Sequence, residues 1–125
     1  QGAPEKSVQA FQAALAIWPD EPDWHAQAGI SQQHLKRFAE AARHLESAID
    51  ADPENTEYWQ ILGNIKIDEQ DFEAAKEYFN QAVKRFPENA KALESLALIN
   101  QEMGLLDGAI SSLKKAVILE PQTPR

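Results

Sequence analysis

Three histidines, His25, His34 and His44, are the side chains here best suited to hold a metal or move a proton near neutral pH. Their spacings along the chain are 9 and 10 residues, not the three or four that places two ligands on one face of a helix. Glu40 and His44 are four apart and could share a metal, but the same spacing is common for a polar pair on a helix surface. The paired acids Asp68-Glu69 and Asp71-Glu73 lack the rigid apolar setting that raises one carboxyl pKa for general acid–base work. Six serines carry no cue for a nucleophile elbow. The absence of cysteine excludes disulfides, thiolate catalysis and cysteine-based zinc or iron–sulfur sites. No G-x-G-x-x-G, P-loop or H-E-x-x-H occurs. The chain reads as non-catalytic, with no cofactor and no metal expected.

Charge narrows the partners. The formal net charge is −8, whereas a nucleic-acid binder presents a basic surface to phosphate. The pairs Lys84-Arg85 and Lys114-Lys115 are short, sit among acids and read as solvated helix faces. Anionic membrane is disfavoured for the same reason, and no apolar run approaches the roughly 20 residues of a membrane span. The first residues, "QGAPEKSVQA", have neither the basic start nor the apolar core of a signal peptide. The compartment stays open between cytoplasm and periplasm.

The elements that position these residues follow from a repeat. Pro19, Pro53, Pro87 and Pro121 recur at a step of 34, and "DPEN" at 52–55 is echoed by "FPEN" at 86–89. Ala41, Ala75 and Ala109 keep that step, as do Ala14, Ala48, Ala82 and Ala116. Phe11, Leu45, Phe79 and Leu113 form a large apolar column; Phe38, Phe72 and Leu106 form another; Gly29, Gly63 and Ala97 form a small one. Between successive prolines two helices of about a dozen residues fit, each about 20 Å long. Phe72, Ala75, Phe79, Ala82 and Val83 make the stripe of a buried helical face. Gly104 suits a helix C-terminus. Asp20, Glu54 and Glu88 directly follow prolines and place negative charge near the next helix start. In "YWQILGN", residues 58–64, Gly63 costs about 1 kcal/mol relative to alanine inside a helix. Its place in the small column predicts that a second helix approaches there, with Trp59 and Leu62 packed beside it and Tyr58 turned toward the preceding unit, as Trp24 is one repeat earlier.

Together these columns resemble the tetratricopeptide repeat family over almost the whole chain. The resemblance implies an all-α, right-handed superhelical solenoid of antiparallel helix pairs, A and B. It implies a single domain, 1–125, in which 1–21 supplies a lone helix B and 22–55, 56–89 and 90–123 are full units. It departs where the family often carries a tyrosine three residues after the small column; Gln32, Lys66 and Asn100 stand there.

The resemblance also implies that the concave face, lined by the A helices, binds an extended peptide or partner helix. Stripes at steps of three and four place Asp23, Ala26, Ile30, Gln33 and His34 on it from the first unit. The second gives Glu57, Gln60, Asn64, Ile67 and Asp68, and the third Lys91, Glu94, Leu98, Gln101 and Glu102. A subset of the family grips a C-terminal carboxylate with lysine, asparagine and arginine from successive A helices. Asn64 is kept, but Gln60 replaces the lysine expected four residues earlier, and Ala26 and Ile30 occupy the matching pair in the first unit. The groove is instead acidic toward its C-terminal end through Asp68, Glu94 and Glu102. The expected partner is a protein segment with apolar anchors and some Lys or Arg.

Both ends carry apolar residues without an evident cap: Val8, Phe11, Leu15, Ile17 and Trp18 at one, Leu105 and Ile118 at the other. Such residues suit self-association, as in a homodimer, or neighbouring repeats of a longer chain. Two readings of function therefore stand: an adaptor whose groove holds another protein, and a structural segment that assembles through its ends.

Overall fold

The structure is a computed structural model describing residues 3–119. Residues 1–2 and 120–125 lie outside the described residues, Pro121 among them, as do the side chains of residues 3, 4, 106 and 107, so Leu106 has a helical position but no described packing. Seven helices run in order: α1 (Ala3–Ile17), α2 (Pro22–His34), α3 (Phe38–Ala51), α4 (Thr56–Asp68), α5 (Phe72–Arg85), α6 (Ala90–Glu102) and α7 (Leu106–Leu119).

Local chemistry sets these limits. Pro19, Pro53 and Pro87 each fall just past the end of α1, α3 and α5, where a missing N–H and a fixed φ stop a helix. The side chain of Asn55 accepts from the Glu57 N–H at 3.0 Å, and that of Asn89 from the Ala92 N–H at 2.9 Å, satisfying donors that a helix start leaves free. Asp71 does the same for α5, accepting from the Ala74 N–H at 3.2 Å. Glu54 and Glu88 precede these asparagine caps rather than capping the helices themselves.

The three turns from an A helix to its B helix repeat in backbone detail. Lys36, Gln70 and Gly104 have φ of 62°, 63° and 76°. The next residue in each turn, Arg37, Asp71 or Leu105, donates its N–H to the carbonyl five residues back, at 2.9, 2.9 and 2.7 Å. This is the Schellman closure, in which the left-handed residue is ordinarily glycine. Gly104 meets that requirement without strain, whereas a residue with Cβ loses about 1–2 kcal/mol there. Gln70→Gly should therefore raise stability by a few tenths to about 1 kcal/mol, the gain being reduced by the freer unfolded chain of glycine. Urea denaturation checks this; a loss of stability would contradict the turn geometry.

Packing is between neighbours. Each A helix contacts its own B helix and the B helix before it. Successive A helices also touch, α2 with α4 and α4 with α6, whereas among the described residues α1, α3, α5 and α7 do not meet one another. An array that closes up on its A side and spreads on its B side curves with the A helices inside.

The small column permits the A–B approach. A Cβ placed on Gly63 would fall against the ring of Phe79, 2.6 Å from its Cζ. One placed on Gly29 would overlap Leu45 Cδ2 and lie 3.1 Å from the Ala41 carbonyl. Leu45, Leu62, Ile65, Phe79 and Ile99 are fully buried, with Ala41, Ala48, Ala75 and Ala82 beside them. Trp59 packs with Ala82 and Ala92, donates to the Pro53 carbonyl at 3.2 Å and carries the Arg85 guanidinium over its ring. Tyr58 does turn to the preceding unit, buried with Ala26, Ala42 and Leu45, and Trp24 turns to Phe11 of α1, with ring centroids 6.0 Å apart.

The polar residues at the family's tyrosine column do not leave a gap. Gln32 and Asn100 are themselves buried, and Gly108 of α7 gives Asn100 its room, since a Cβ there would lie 2.9 Å from Nδ2.

Candidate concave binding face

Three A-helix residues, Ile30, Asn64 and Leu98, occupy equivalent places one unit apart and form a column across the inner face. They differ in what they offer. Ile30 is half-buried, Asn64 is exposed, and Leu98 is 61% exposed. Glu94 and Glu102 lie one turn before and one turn after Leu98, on the same stripe of α6, and both are exposed.

Hydrogen bonds join the A helices along this face. Gln33 Nε2 of α2 donates to Asp68 Oδ2 of α4 at 2.8 Å. The Tyr58 hydroxyl of α4 donates to Asp23 Oδ1 of α2 at 2.5 Å. Burial, and then this bond to a carboxylate, pushes the Tyr58 phenol well above its usual range, so it remains a donor. Gln33, His34, Lys36, Phe38 and Asp68 border a shallow depression of about 450 Å³ at the C-terminal ends of these helices.

Several residues expected on the face are placed otherwise. Ala26 is only 3% exposed and belongs to the core around Tyr58 and Leu62, because the α4 aromatic reaches across to α2. Ile67 is half-buried and packs against the cluster of Ala75, Phe79, Leu96 and Ile99, so the core does use it. Gln60 is also half-buried, with its Nε2 enclosed and unpaired. Asp23, His34, Glu57, Asn64, Asp68, Lys91, Glu94, Leu98, Gln101 and Glu102 are exposed, while Gln33 is half-buried. Carboxylates thus outnumber Lys91 on the accessible part of the face.

The ends also differ from expectation. Val8 is 3% exposed and not available as surface, and Phe11 and Leu15 are half-buried, because α2 packs on α1 and Trp24 covers Phe11. Ile17 and Trp18 remain exposed at 67% and 56%. At the other end Leu105 and Ile118 are exposed, and so are Ile110, Leu113 and Val117 on one stripe of α7. The internal equivalents of Leu113, Leu45 and Phe79, are fully buried because the next A helix covers them.

One constellation was not read from sequence spacing. His25 of α2 and His44 of α3, 19 residues apart, meet with Nδ1 to Nδ1 at 3.2 Å. The signal was nevertheless present. His25 is one turn before Gly29, and His44 lies between Ala41 and Ala48, so both share stripes with the small residues that mark the A–B contact. Burial, then the neighbouring His25 and Arg43, hold the His44 pKa below its ordinary value. The unfolded chain therefore binds a proton at His44 more readily than the folded one, and stability is present above about pH 6.5 and declines as pH falls through the lowered pKa. Thermal unfolding followed from pH 7.5 to 5 should show this decline, reduced in His44→Asn; an unchanged slope in the variant would assign it elsewhere.

Against this geometry, comparison with known proteins is unambiguous about family. Tetratricopeptide repeat models match residues 62–124 and residues 1–65. The chain belongs to the tetratricopeptide repeat family, as a helical solenoid. Among solved structures it is similar to "Crystal structure of MamA", with a TM-score of 0.87 at 19% identity over 97% of this chain and 71% of that one. It is also similar to "Crystal structure of MamA protein", with a TM-score of 0.85 at 19% identity over 97% and 66%, and to "MamA AMB-1 C2221", at 0.75 and 24% over 94% and 69%. At such identities the likeness is one of fold. This chain spans roughly two thirds of the length of those proteins. A search of the curated proteins finds no match.

Proposed function

We propose that the protein is a non-catalytic interaction module whose concave face holds a segment of another protein, with a large apolar side chain seated on Leu98 and Lys or Arg beside it. The observation that carries this reading is the exposure of Leu98 between Glu94 and Glu102. An apolar anchor ringed by carboxylates favours a partner of complementary pattern, because apolar burial supplies affinity and the surrounding charge supplies steering and selectivity. Asn64, one unit earlier in the same column, presents an amide that can both donate to and accept from a peptide backbone. The family supports protein binding in general; the groove and the basic, apolar character of the partner are inferred from these residues. Selection from a displayed peptide library with the isolated chain tests the proposal. Enriched sequences should combine a large apolar residue with Lys or Arg within a turn or two. Acidic or uncharged consensus sequences would contradict it.

A second reading rests on a different observation, the uncovered stripe Ile110, Leu113 and Val117 of α7, where Leu113 stands exposed although its internal counterparts, Leu45 and Phe79, are fully buried. That stripe suits assembly with another helix through the end of the array. Sedimentation across a concentration range separates the two, since a monomer that still selects peptides leaves only the groove.

A further inference from the structure

We infer that His25 and His44 form a two-point chelate for a borderline divalent ion of the Zn²⁺ or Cu²⁺ class, which joins α2 to α3 on the side of the first unit away from the groove column. The argument begins with the hydrogen-bond order. His25 Nε2 lies 2.7 Å from the Pro19 carbonyl, which can only accept, so this nitrogen carries the proton. In the neutral ring Nδ1 of His25 then presents a lone pair, and it points to Nδ1 of His44 at 3.2 Å. A histidine whose second nitrogen donates to a backbone carbonyl is fixed in the tautomer and orientation that a metal ligand needs.

Distance agrees with chelation. Two nitrogens bound at 2.0–2.1 Å to one ion are separated by about 2.9 Å at a right angle and about 3.4 Å at the tetrahedral angle. The observed separation falls between these, with ring centroids 5.4 Å apart and planes inclined by 41°. An ion bound to both nitrogens lies about 1.3 Å off the line between them, so it enters with loss of the shared hydrogen and a small turn of each ring. The proton of neutral His44 passes through solvent from Nδ1 to Nε2, and both Nδ1 lone pairs become ligands.

The surroundings decide the class of ion. Among the described residues, no third His, Cys, Asp or Glu joins the pair in a group that could hold a metal. His25 also borders a cavity of about 600 Å³ with Pro19, Asp20, Ser47, Asp50 and Ala51, whose two carboxylates favour a cation nearby. Imidazole nitrogens select Zn²⁺, Cu²⁺ or Ni²⁺ over the oxygen-seeking Mg²⁺ and Ca²⁺.

Titration calorimetry of the tag-free chain with Zn²⁺ at pH 7.5 tests the site. One ion per chain is expected, with no heat from Mg²⁺. His25→Asn or His44→Asn should each weaken binding at least tenfold, and His34→Asn should leave it unchanged. Because the ion binds only the folded arrangement, Zn²⁺ should raise Tm in the unsubstituted chain and in His34→Asn but not in His44→Asn. Electron paramagnetic resonance of the unsubstituted chain with one equivalent of Cu²⁺ needs no variant, and two equatorial imidazole nitrogens are expected. A one-nitrogen spectrum, full binding after loss of His44, or no binding up to about 1 mM Zn²⁺ would each overturn the assignment.

Discussion

Phe79→Ala should lower the unfolding free energy by about 3–5 kcal/mol, the cost of emptying a fully buried aromatic site. That is a large share of the roughly 5–15 kcal/mol by which a domain is ordinarily stable. Phe79 sits at the junction of three helices: its ring lies over Gly63 of α4, its own helix is α5, and it shares a cluster with Leu96 and Ile99 of α6. No smaller side chain spans those elements. The same geometry makes Gly63 a sensitive partner. Alanine there gains about 1 kcal/mol of helix propensity, but its Cβ overlaps the ring of a fully buried residue. Overpacking of this kind costs about 1–3 kcal/mol, and a net loss of about 1–2 kcal/mol is expected. In a Phe79→Leu background the overlap is relieved, and Gly63→Ala should become neutral or stabilising. Urea denaturation of the four proteins in this cycle measures the coupling. Strict additivity would show that Gly63 and Phe79 do not accommodate each other.

Binding should be most sensitive at Leu98. Leu98→Ala is expected to weaken a selected apolar and basic peptide about 30-fold, the effect of losing a central anchor worth about 2 kcal/mol. Leu98→Lys should weaken it about 100-fold or more, since the new ammonium also repels the basic residues of the peptide. Neither change should alter the fold appreciably, because Leu98 is 61% exposed and belongs to none of the buried clusters. Glu94→Gln and Glu102→Gln should each reduce affinity by only a few fold, chiefly through slower association, and added salt should reduce the difference. Ile118→Ser, at the far end of α7, serves as the control and should leave peptide affinity unchanged. Fluorescence anisotropy with a labelled peptide reads all of these. Full affinity in Leu98→Lys would move the binding surface elsewhere.

The family, the all-helical architecture and the packing role of "YWQILGN" were legible in the residues alone. A period of 34 that recurs in prolines, alanines and alternating large and small columns admits few arrangements. Each helix pair must bury one stripe, and stacking repeats the solution. Even the left-handed turn at Gly104 was signalled by its residue type. The same position in the other turns was not, because Lys36 and Gln70 are ordinarily poor choices there and are held in place by the closure around them.

Which groove residues remain accessible was decided only in three dimensions. Helical spacing put Ala26, Gln60 and Ile67 on the inner stripe, but the reach of Tyr58 across to α2 enclosed Ala26, the cluster around Phe79 half-enclosed Ile67, and Gln60 is half-buried as well. Periodicity places a Cα on a face; how far a neighbouring helix's side chain extends over that face depends on the distance and angle between the two axes. The meeting of His25 and His44 has the same origin. Sequence determined that each lies on an A–B stripe, and the close approach allowed by Gly29 and Ala41 brought the two rings into contact.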